Sequence, residues 1–250
     1  MTGQIQKQYY EEYWDSGLSG WSPAGVTIST FEEQLLTRLI PRNSRVLDFG
    51  CGDGSHAGPF LLSNECSYVG VDVSAAAVSM CRGKGLEATE YSPEAPLPFD
   101  GESFNSVVSF EVFEHLFNPQ EALTDIHRVL RSGGYLIGSV PNCVFVGNRL
   151  LMAAGHFSPG GSPATSLRAP WKDPHIRFFS KQTLLSFLKQ AGFKQCVVIG
   201  RAFSLVDFPV LYRSVQAARQ LLVACSRPLA PLGSWWPTFF SATLYFAARK

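Results

Sequence analysis

Short apolar runs alternate with amphipathic stretches between residues 45 and 140. Runs of β-branched and aromatic side chains predict four strands: Arg45–Phe49, Ser67–Asp72, Phe104–Phe110 and Tyr135–Val140, the last preceded by a turn at 131–134. Helical spacing of apolar residues predicts helices over Ser74–Arg82, with Ser74 as the N-cap, and over Pro119–Leu130. Nearly continuous apolar strands separated by helices are typical of a parallel sheet covered on both faces, so we predict an α/β fold.

The second half of the chain is less regular. Residues Asn142–Asp173 are rich in Gly, Pro, Ser and aromatic side chains, which predicts a long functional loop. A capped amphipathic helix follows over Ser180–Gly192, and two more strands are predicted over Phe193–Ile199 and Ala242–Ala247. An insertion over residues 200–241 separates these two strands.

Composition narrows the class of protein. The chain has 250 residues, 46% of them hydrophobic, and a formal net charge of +1. This balance excludes a disordered chain and argues against a nucleic-acid-binding protein, which usually carries a basic excess. The six cysteines have no zinc-like spacing, and no secretion signal or membrane-spanning run is evident. We therefore expect free thiols and a cytoplasmic location.

The main chemical signal is the segment 46–56, which reads VLDFGCGDGSH. A strand leads directly into a glycine turn, and glycine allows the backbone to turn sharply and to approach a ligand. Asp72 ends the next strand, 18 residues after Gly54. A carboxylate at that position can accept hydrogen bonds from both hydroxyls of a ribose.

Two kinds of nucleotide cofactor compete for such a turn. A dinucleotide motif needs its third glycine one residue later, where Ser55 stands in this chain. Asp48 would also repel a pyrophosphate, whereas it would attract a ligand that carries an ammonium or sulfonium group. These two residues argue against an NAD-dependent oxidoreductase.

The chain resembles the class I S-adenosylmethionine-dependent methyltransferases, in particular the small-molecule enzymes of the ubiquinone-pathway type. The resemblance covers residues 45–200 and rests on five segments: Asp48–Gly54, Asp72, Leu97–Phe99, Phe110–His115 and Leu130–Gly134. It implies S-adenosyl-L-methionine as the cofactor and a Rossmann-like seven-stranded sheet, mostly parallel, with an antiparallel last strand and helices on both faces.

The resemblance also implies a set of cofactor-binding residues: Asp48, Gly50, Cys51, Gly52, His56, Asp72, Val73, Ser92, Phe110 and Glu111. Asp48, Gly50 and Cys51 are expected along the methionine moiety, and His56 near its carboxylate. Asp72 is expected to hold the ribose and Val73 to contact the adenine.

Other positions are less clear from the family pattern. Ser92 stands where these enzymes usually have an acid beside the adenine amino group, so that contact departs from the pattern. Phe110, Glu111 and His115 are expected between the methionine moiety and the acceptor.

Two histidines are candidate catalytic residues on the acceptor side, His115 and His175. Either one could remove a proton from the methyl acceptor; alternatively, His175 anchors the preceding loop. Glu111, Glu114 and His115 have the spacing of one helical face and could hold a divalent cation. Because similar runs line the pocket without a metal in related enzymes, we expect no metal.

We interpret the chain as one methyltransferase domain in four parts: a helical lid over 1–42, a cofactor-binding core over 43–200, a cap over 201–240 and the last strand over 241–250. Tyr10, Tyr13 and Trp21 are candidate lid residues.

The segment 203–240 has four phenylalanines, two tryptophans and arginines at 213, 219 and 227. Helical spacing over residues 211–223 fits either a cap over the acceptor or an amphipathic helix on an anionic membrane.

We therefore predict methyl transfer from S-adenosylmethionine to a small-molecule or lipid-linked acceptor, at oxygen. The alternatives are C- or N-methylation of a sugar or secondary metabolite, and a methyltransferase-like protein that binds the cofactor without catalysis. We expect no nucleic-acid partner, and peripheral membrane contact through 203–240 stays open.

Overall fold

The computed structural model describes residues 2–15, 28–93, 95–156, 173–202, 204 and 223–250. A seven-stranded sheet is formed by β1 (Arg45–Phe49), β2 (Ser67–Asp72), β3 (Ala88–Glu90), β4 (Phe104–Phe110), β5 (Leu130–Pro141), β6 (Gln195–Gly200) and β7 (Thr243–Arg249). The strand order is β3-β2-β1-β4-β5-β7-β6. Strands β1 to β5 pair in parallel, and β7 is antiparallel to both β5 and β6. The predicted Rossmann-like class is confirmed.

Helices surround this sheet: α1 (Thr2–Asp15), α2 (Thr30–Leu39), α3 (Gly58–Ser63), α4 (Ala75–Gly83), α5 (Pro119–Val129), α6 (Val146–Ala153), α7 (Lys181–Gln190), α8 (Pro231–Trp235) and α9 (Pro237–Phe240), with 3-10 turns at Phe113–His115 and Arg227–Leu229. Within the described ranges, every helix is too short or too polar to cross a bilayer.

Several sequence predictions are confirmed at residue level. Strands β1, β2 and β4 have the predicted limits. The Ser74 hydroxyl accepts a hydrogen bond from the Ala77 amide at the start of α4, and the Ser180 hydroxyl accepts one from the Thr183 amide at the start of α7. These side-chain oxygens satisfy amides that have no partner within the helix, so both helices begin where predicted.

Other predictions were wrong or incomplete. The expected loop 142–173 begins with α6, whose Leu151 is buried. The expected turn at 131–134 is an irregularity within β5, where the pairing with β4 shifts between residues 104 and 106 and Gly133 has a φ of 78°. Helix α3 and strand β3 were missed, whereas α1 and α2 lie within the segment 1–42 that was predicted to be helical. Most of the predicted helix over 211–223, and Trp21, lie outside the described residues.

The sheet separates two hydrophobic cores because successive side chains of a strand point to opposite faces. Leu47 and Phe49 of β1 enter one core, which α5 and α7 cover. Val46 enters the other core, against Leu36 of α2. Because β1 pairs in parallel with both β2 and β4, the carboxyl ends of these three strands lie at the same edge of the sheet. Ligands of open α/β sheets bind at this edge.

Candidate active site

The glycine turn after β1 is held against β2 by its backbone. The amides of Gly50 and Cys51 both donate to the Val71 carbonyl, at 2.9 and 3.0 Å. Gly50, Gly52 and Gly54 have φ values of 79°, 53° and 75°, which side chains with a Cβ rarely adopt. The sequence therefore requires glycine at these positions for the backbone conformation itself.

Each of these glycines also faces a neighbouring side chain closely. A Cβ at Gly50 would lie 2.4 Å from Val112 Cγ2, and one at Gly54 would lie 2.4 Å from Leu86 Cδ1. A Cβ at Gly52 would lie 2.8 Å from Trp14 Cζ2, so the Trp14 ring of α1 lies directly on the turn. The sequence analysis did not single out Trp14, because nothing in a run of aromatics indicates which one reaches a distant turn.

Asp72 joins the end of β2 to the glycine turn. Its Oδ2 accepts a hydrogen bond from the Gly52 amide at 2.8 Å, and its Oδ1 accepts one from the Ser74 amide at 3.0 Å. Burial raises the pKa of Asp72, although these backbone donors oppose the shift. Val73 follows directly and packs against the core beneath the sheet edge.

Asp48 is buried at the end of β1. The Tyr68 hydroxyl donates a hydrogen bond to its Oδ2 at 3.0 Å. Burial raises the pKa of Asp48 to about 6, against the effect of Tyr68 and of His56. The Cys51 side chain is also buried but lies toward the sheet, where it would meet a Cβ at Gly70 at 2.7 Å.

His56 is paired with an acid that the sequence analysis missed. Its Nε2 lies 3.5 Å from Glu32 Oε2, and its ring meets Phe110 edge to face at 5.0 Å. Burial lowers the pKa of His56, but Glu32, Asp48 and Glu111 outweigh burial and raise it. Glu32 belongs to a capping box with Ser29 at the start of α2. That local pattern predicts a helix start, but no pattern links it to His56.

Glu111 lies where β4 ends. It has a φ of 55°, a left-handed conformation that is uncommon for a residue with a Cβ. Its Oε1 accepts a hydrogen bond from the Ser139 hydroxyl at 2.6 Å, and its amide donates to the Ser139 carbonyl. Burial raises the pKa of Glu111. These contacts direct the carboxyl group toward β5.

Glu114, His115 and His175 form a compact group that we call the acceptor cluster. The imidazole rings of His115 and His175 stack with centroids 4.7 Å apart. Glu114 Oε1 lies 3.8 Å from His115 Nε2 and 3.9 Å from His175 Nε2. The structure thus brings together both predicted catalytic histidines, although Pro119–Val129 and the whole of β5 separate them in the sequence.

The surroundings of His115 favour its neutral imidazole form. Burial and the neighbouring His175 lower the pKa of His115 to about 3. Burial raises the pKa of Glu114 well above its usual range, and repulsion from Glu111 adds to this shift. A neutral imidazole has a free lone pair that can accept a hydrogen bond or bind a metal ion.

Helix α1 contacts both the region around β2 and β3 and the acceptor cluster. Glu11 accepts hydrogen bonds from the amides of Ala75 and Ala76 at the start of α4. The Tyr10 ring lies 5.9 Å from the His115 ring, and Lys7 forms an ion pair with Glu90 at the end of β3. Helix α1 therefore covers the sheet edge from β3 to the acceptor cluster.

Two predicted positions lie at the border of this region. Ser92 is exposed on the loop after β3, where the neighbouring Tyr91 amide donates to the Asp72 carbonyl. Tyr13 lies on α1 with its ring 5.7 Å from Trp14 and 6.3 Å from Tyr10. The structure places Ser92 on the loop next to the end of β2 and Tyr13 among the aromatic residues of α1.

Comparison with known proteins identifies the family of this chain. A family model described as a methyltransferase domain matches residues 28–197. The chain belongs to this methyltransferase-domain family. It is a class I S-adenosylmethionine-dependent methyltransferase, as predicted, and its cofactor is S-adenosylmethionine.

Two curated relatives of the methyltransferase match this chain over about half of their length or less. A tRNA (carboxymethyluridine(34)-5-O)-methyltransferase of Arabidopsis thaliana is 27% identical over 146 residues, which are 56% of this chain and 34% of that protein. A probable S-adenosylmethionine-dependent methyltransferase of Mycolicibacterium smegmatis is 29% identical over 150 residues, 60% of this chain and 51% of the relative. The chain thus spans between about a third and a half of these two relatives.

A solved structure from Thermotoga maritima, a possible histamine N-methyltransferase, covers 99% of both chains with a TM-score of 0.59 and 18% identity. At that identity the likeness concerns the fold.

The described residues fit this cofactor. Asp48 and Asp72 end neighbouring parallel strands, so two carboxylates flank the glycine turn at the same sheet edge. One carboxylate suits a cationic amino acid and the other suits ribose hydroxyls. The individual contacts of Asp48, Gly50, Cys51, His56 and the other predicted residues with the cofactor stay predictions.

Proposed function

We propose that the methyltransferase methylates a hydroxyl oxygen of a lipid-linked or other small acceptor. The observation that carries this proposal is the stacked pair of imidazoles, His115 and His175, beside Glu114 at the carboxyl edge of the sheet. A hydroxyl group must lose its proton as it attacks, so it needs a proton acceptor close by. A free amine or an activated carbon depends less on a proton acceptor at that moment, because either can attack before it loses a proton. Oxygen as the acceptor atom is supported by the Arabidopsis thaliana relative, whose name gives a 5-O-methyltransferase.

Bound S-adenosylmethionine supplies a methyl group on a positively charged sulfur. An acceptor oxygen would attack the methyl carbon in line with the bond to this sulfur, and the sulfur would leave. Within the protein, Asp48 and Asp72 hold the cofactor, and the acceptor cluster faces the oxygen that receives the methyl group. Positioning supplies most of the rate enhancement in such a displacement. The hydroxyl proton would pass to an imidazole of the acceptor cluster, and the former sulfonium would leave as the neutral thioether S-adenosylhomocysteine.

A lipid-linked acceptor is supported by an exposed aromatic surface formed by Arg149, Leu150, Trp235, Trp236 and Phe239. Trp235 is 81% exposed, and Trp236 and Leu150 are each 58% exposed. The Arg149 guanidinium lies over the Phe239 ring at 5.3 Å. The segments 142–156 and 223–241 contain no acidic residue, so this surface suits the interface of an anionic membrane.

The aromatic surface is anchored to the active-site edge. Asn142, fully buried just after β5, donates hydrogen bonds to the carbonyls of Pro237 and Ser241 at 3.1 and 2.7 Å. Glu111, next to the acceptor cluster, is bonded to Ser139 of the same strand. A lipid at the aromatic surface would therefore reach the acceptor cluster over a short path along β5.

The net charge of +1 does not favour a nucleic-acid acceptor.

The test is a cofactor-turnover screen with methyl-labelled S-adenosylmethionine and pooled acceptors, presented both in solution and in anionic vesicles. We expect labelled methyl ethers, and faster turnover for acceptors carried in vesicles. Asp72→Ala is the control for cofactor-dependent signal. Labelled products with only new carbon–carbon or carbon–nitrogen bonds would contradict oxygen methylation.

A further inference from the structure

The Glu114 carboxyl group has an unusual environment. It is 1% exposed, and among the described residues neither of its oxygens has a hydrogen-bond partner. Buried carboxyl groups in folded proteins are almost always hydrogen-bonded, paired or bound to a metal, because removing them from water is costly. Oε1 instead lies 3.8 and 3.9 Å from the imidazole nitrogens of His115 and His175, beyond hydrogen-bond distance.

The donor atoms of the acceptor cluster converge on a small space. One donor atom from each of Glu114, His115 and His175 lies within 4.8 Å of the others. The distances from Glu114 Oε1 to the two Nε2 atoms are 3.8 and 3.9 Å. A tetrahedral metal ion with bonds of about 2.0–2.2 Å separates its donors by about 3.4 Å. The two distances from Glu114 would need to shorten by about half an ångström, and the widest pair of donors, within 4.8 Å, by at most about 1.4 Å.

The other ring nitrogens are already oriented for this role. His175 Nδ1 lies 2.7 Å from Asp173 Oδ1, and His115 Nδ1 lies 3.3 Å from the Pro174 carbonyl. Metal-binding histidines typically donate their second N–H to a carboxylate or a backbone carbonyl, which leaves the first nitrogen facing the ion. In addition, the Glu114 carbonyl accepts from the Ile176 amide and so fixes this segment beside the 3-10 turn.

We propose that Glu114, His115 and His175 bind one divalent transition-metal ion. Two imidazoles with one carboxylate suit Zn²⁺, Co²⁺ or Fe²⁺ better than Mg²⁺, which prefers oxygen ligands. This set differs from the sequence-based group of Glu111, Glu114 and His115, because Glu111 is bonded to Ser139 instead. It also replaces our expectation that the protein has no metal.

The ion would lie where the acceptor hydroxyl is expected. A metal-bound hydroxyl loses its proton more readily than a free one, so the ion would favour an oxygen nucleophile. This catalytic role rests on the proposed function, whereas the metal site itself does not. The test therefore begins with metal binding in the absence of any acceptor.

The experiment is titration of the chelator-treated protein with Co²⁺ and Zn²⁺, followed by visible absorption and calorimetry. We expect one equivalent of each ion, with Co²⁺ bands of nitrogen and oxygen ligation and without thiolate charge-transfer bands. Glu114→Gln and His175→Gln should each lower Zn²⁺ affinity at least about a hundredfold. Asp173→Asn, which replaces the carboxylate that pairs with His175 Nδ1, should lower it about 10–100-fold.

Two variants serve as controls. Glu111→Gln should retain the full Co²⁺ spectrum, and His156→Gln, at an exposed imidazole, should also bind normally. Circular dichroism and melting temperature show that each variant is folded. Absence of stoichiometric binding, retention of binding in both Glu114→Gln and His175→Gln, or loss with Glu111→Gln alone would overturn the proposal. Metal binding without any methyl ether product would instead contradict the proposed function alone.

Discussion

The Asp72 carboxylate accepts a hydrogen bond from the backbone amide of Gly52 at 2.8 Å. This contact ties the end of β2 to the glycine turn of the neighbouring strand. One side chain thus fixes the shape of the turn and offers its remaining lone pairs to a ligand. Cofactor affinity and local geometry are therefore expected to change together when Asp72 is replaced.

We predict that Asp72→Ala lowers the affinity for S-adenosylmethionine at least about tenfold, because hydrogen bonds to a charged group contribute roughly 1.5–3 kcal/mol each. Isothermal titration calorimetry on the folded variant measures this change. Asp100→Ala, which removes an exposed carboxylate, is the matched control and should bind normally. Unchanged affinity in Asp72→Ala would remove this residue from the cofactor site.

His175→Gln is expected to separate catalysis from cofactor binding. His175 contacts Asp173 and the acceptor cluster, and the glycine turn lies on other strands, so kcat should fall at least about 100-fold while the cofactor Kd changes little. Steady-state kinetics with calorimetry give both values. His127→Gln, a ring that packs against Phe193 instead, should behave as the unchanged protein. An equal loss of kcat and of cofactor affinity would indicate a structural role for His175.

Asp48 should make the cofactor-free protein less stable as the pH rises. Burial raises its pKa from 3.8 to about 6, so the folded state holds the proton more tightly than the unfolded state. The free energy of unfolding therefore falls as the pH rises from 3.8 to about 6, and this contribution stays constant above that range. The total loss is about 3 kcal/mol, at about 1.4 kcal/mol for each pH unit.

Asp48→Asn removes this titration. We expect the variant to exceed the unchanged protein in free energy of unfolding at pH 8, and to differ less from it at pH 5. We also expect it to bind S-adenosylmethionine more weakly, because the charge that faces the cationic ligand is lost. Urea denaturation at the two pH values checks the first point and calorimetry the second. Parallel pH profiles for the two proteins would show that Asp48 is not the group responsible.

The aromatic surface is expected to bind anionic vesicles. Trp235→Ala combined with Trp236→Ala should abolish most flotation with such vesicles at low salt, because interfacial tryptophans supply the apolar contact. Leu62→Ala, at an exposed apolar position of α3, is the control and should float normally. If the unchanged protein fails to float, a water-soluble acceptor becomes the better proposal.

The sequence predicted those parts of the fold that depend on local patterns. Strands β1, β2 and β4 are apolar runs bounded by polar residues or glycines, so their limits could be read directly. Strand β3 has only three residues, Ala88–Glu90, and its pairing with β2 depends on the sheet that already exists. Such an element has no pattern of its own.

In the candidate site, too, some features follow local sequence patterns and others depend on how distant segments pack together. Asp72 and the glycine turn follow a spacing that can be recognised along the chain. The pairing of His56 with Glu32 and the approach of His175 to Glu114 join segments that are far apart in the sequence. They depend on how α2 and the segment before α7 pack on the sheet. Sequence reasoning could therefore propose both histidines as functional but could not show that they share one carboxylate.

The position of β7 between β5 and β6 affects how the protein is made. A ribosome synthesises residues 195–200 well before residues 243–249, yet β6 is bonded to the sheet through β7. Until β7 has emerged, β6 and the apolar edge of β5 have no strand beside them. The edge of β5 therefore stays unpaired in the nascent chain until β7 is synthesised. We expect chaperones to bind at this stage of synthesis.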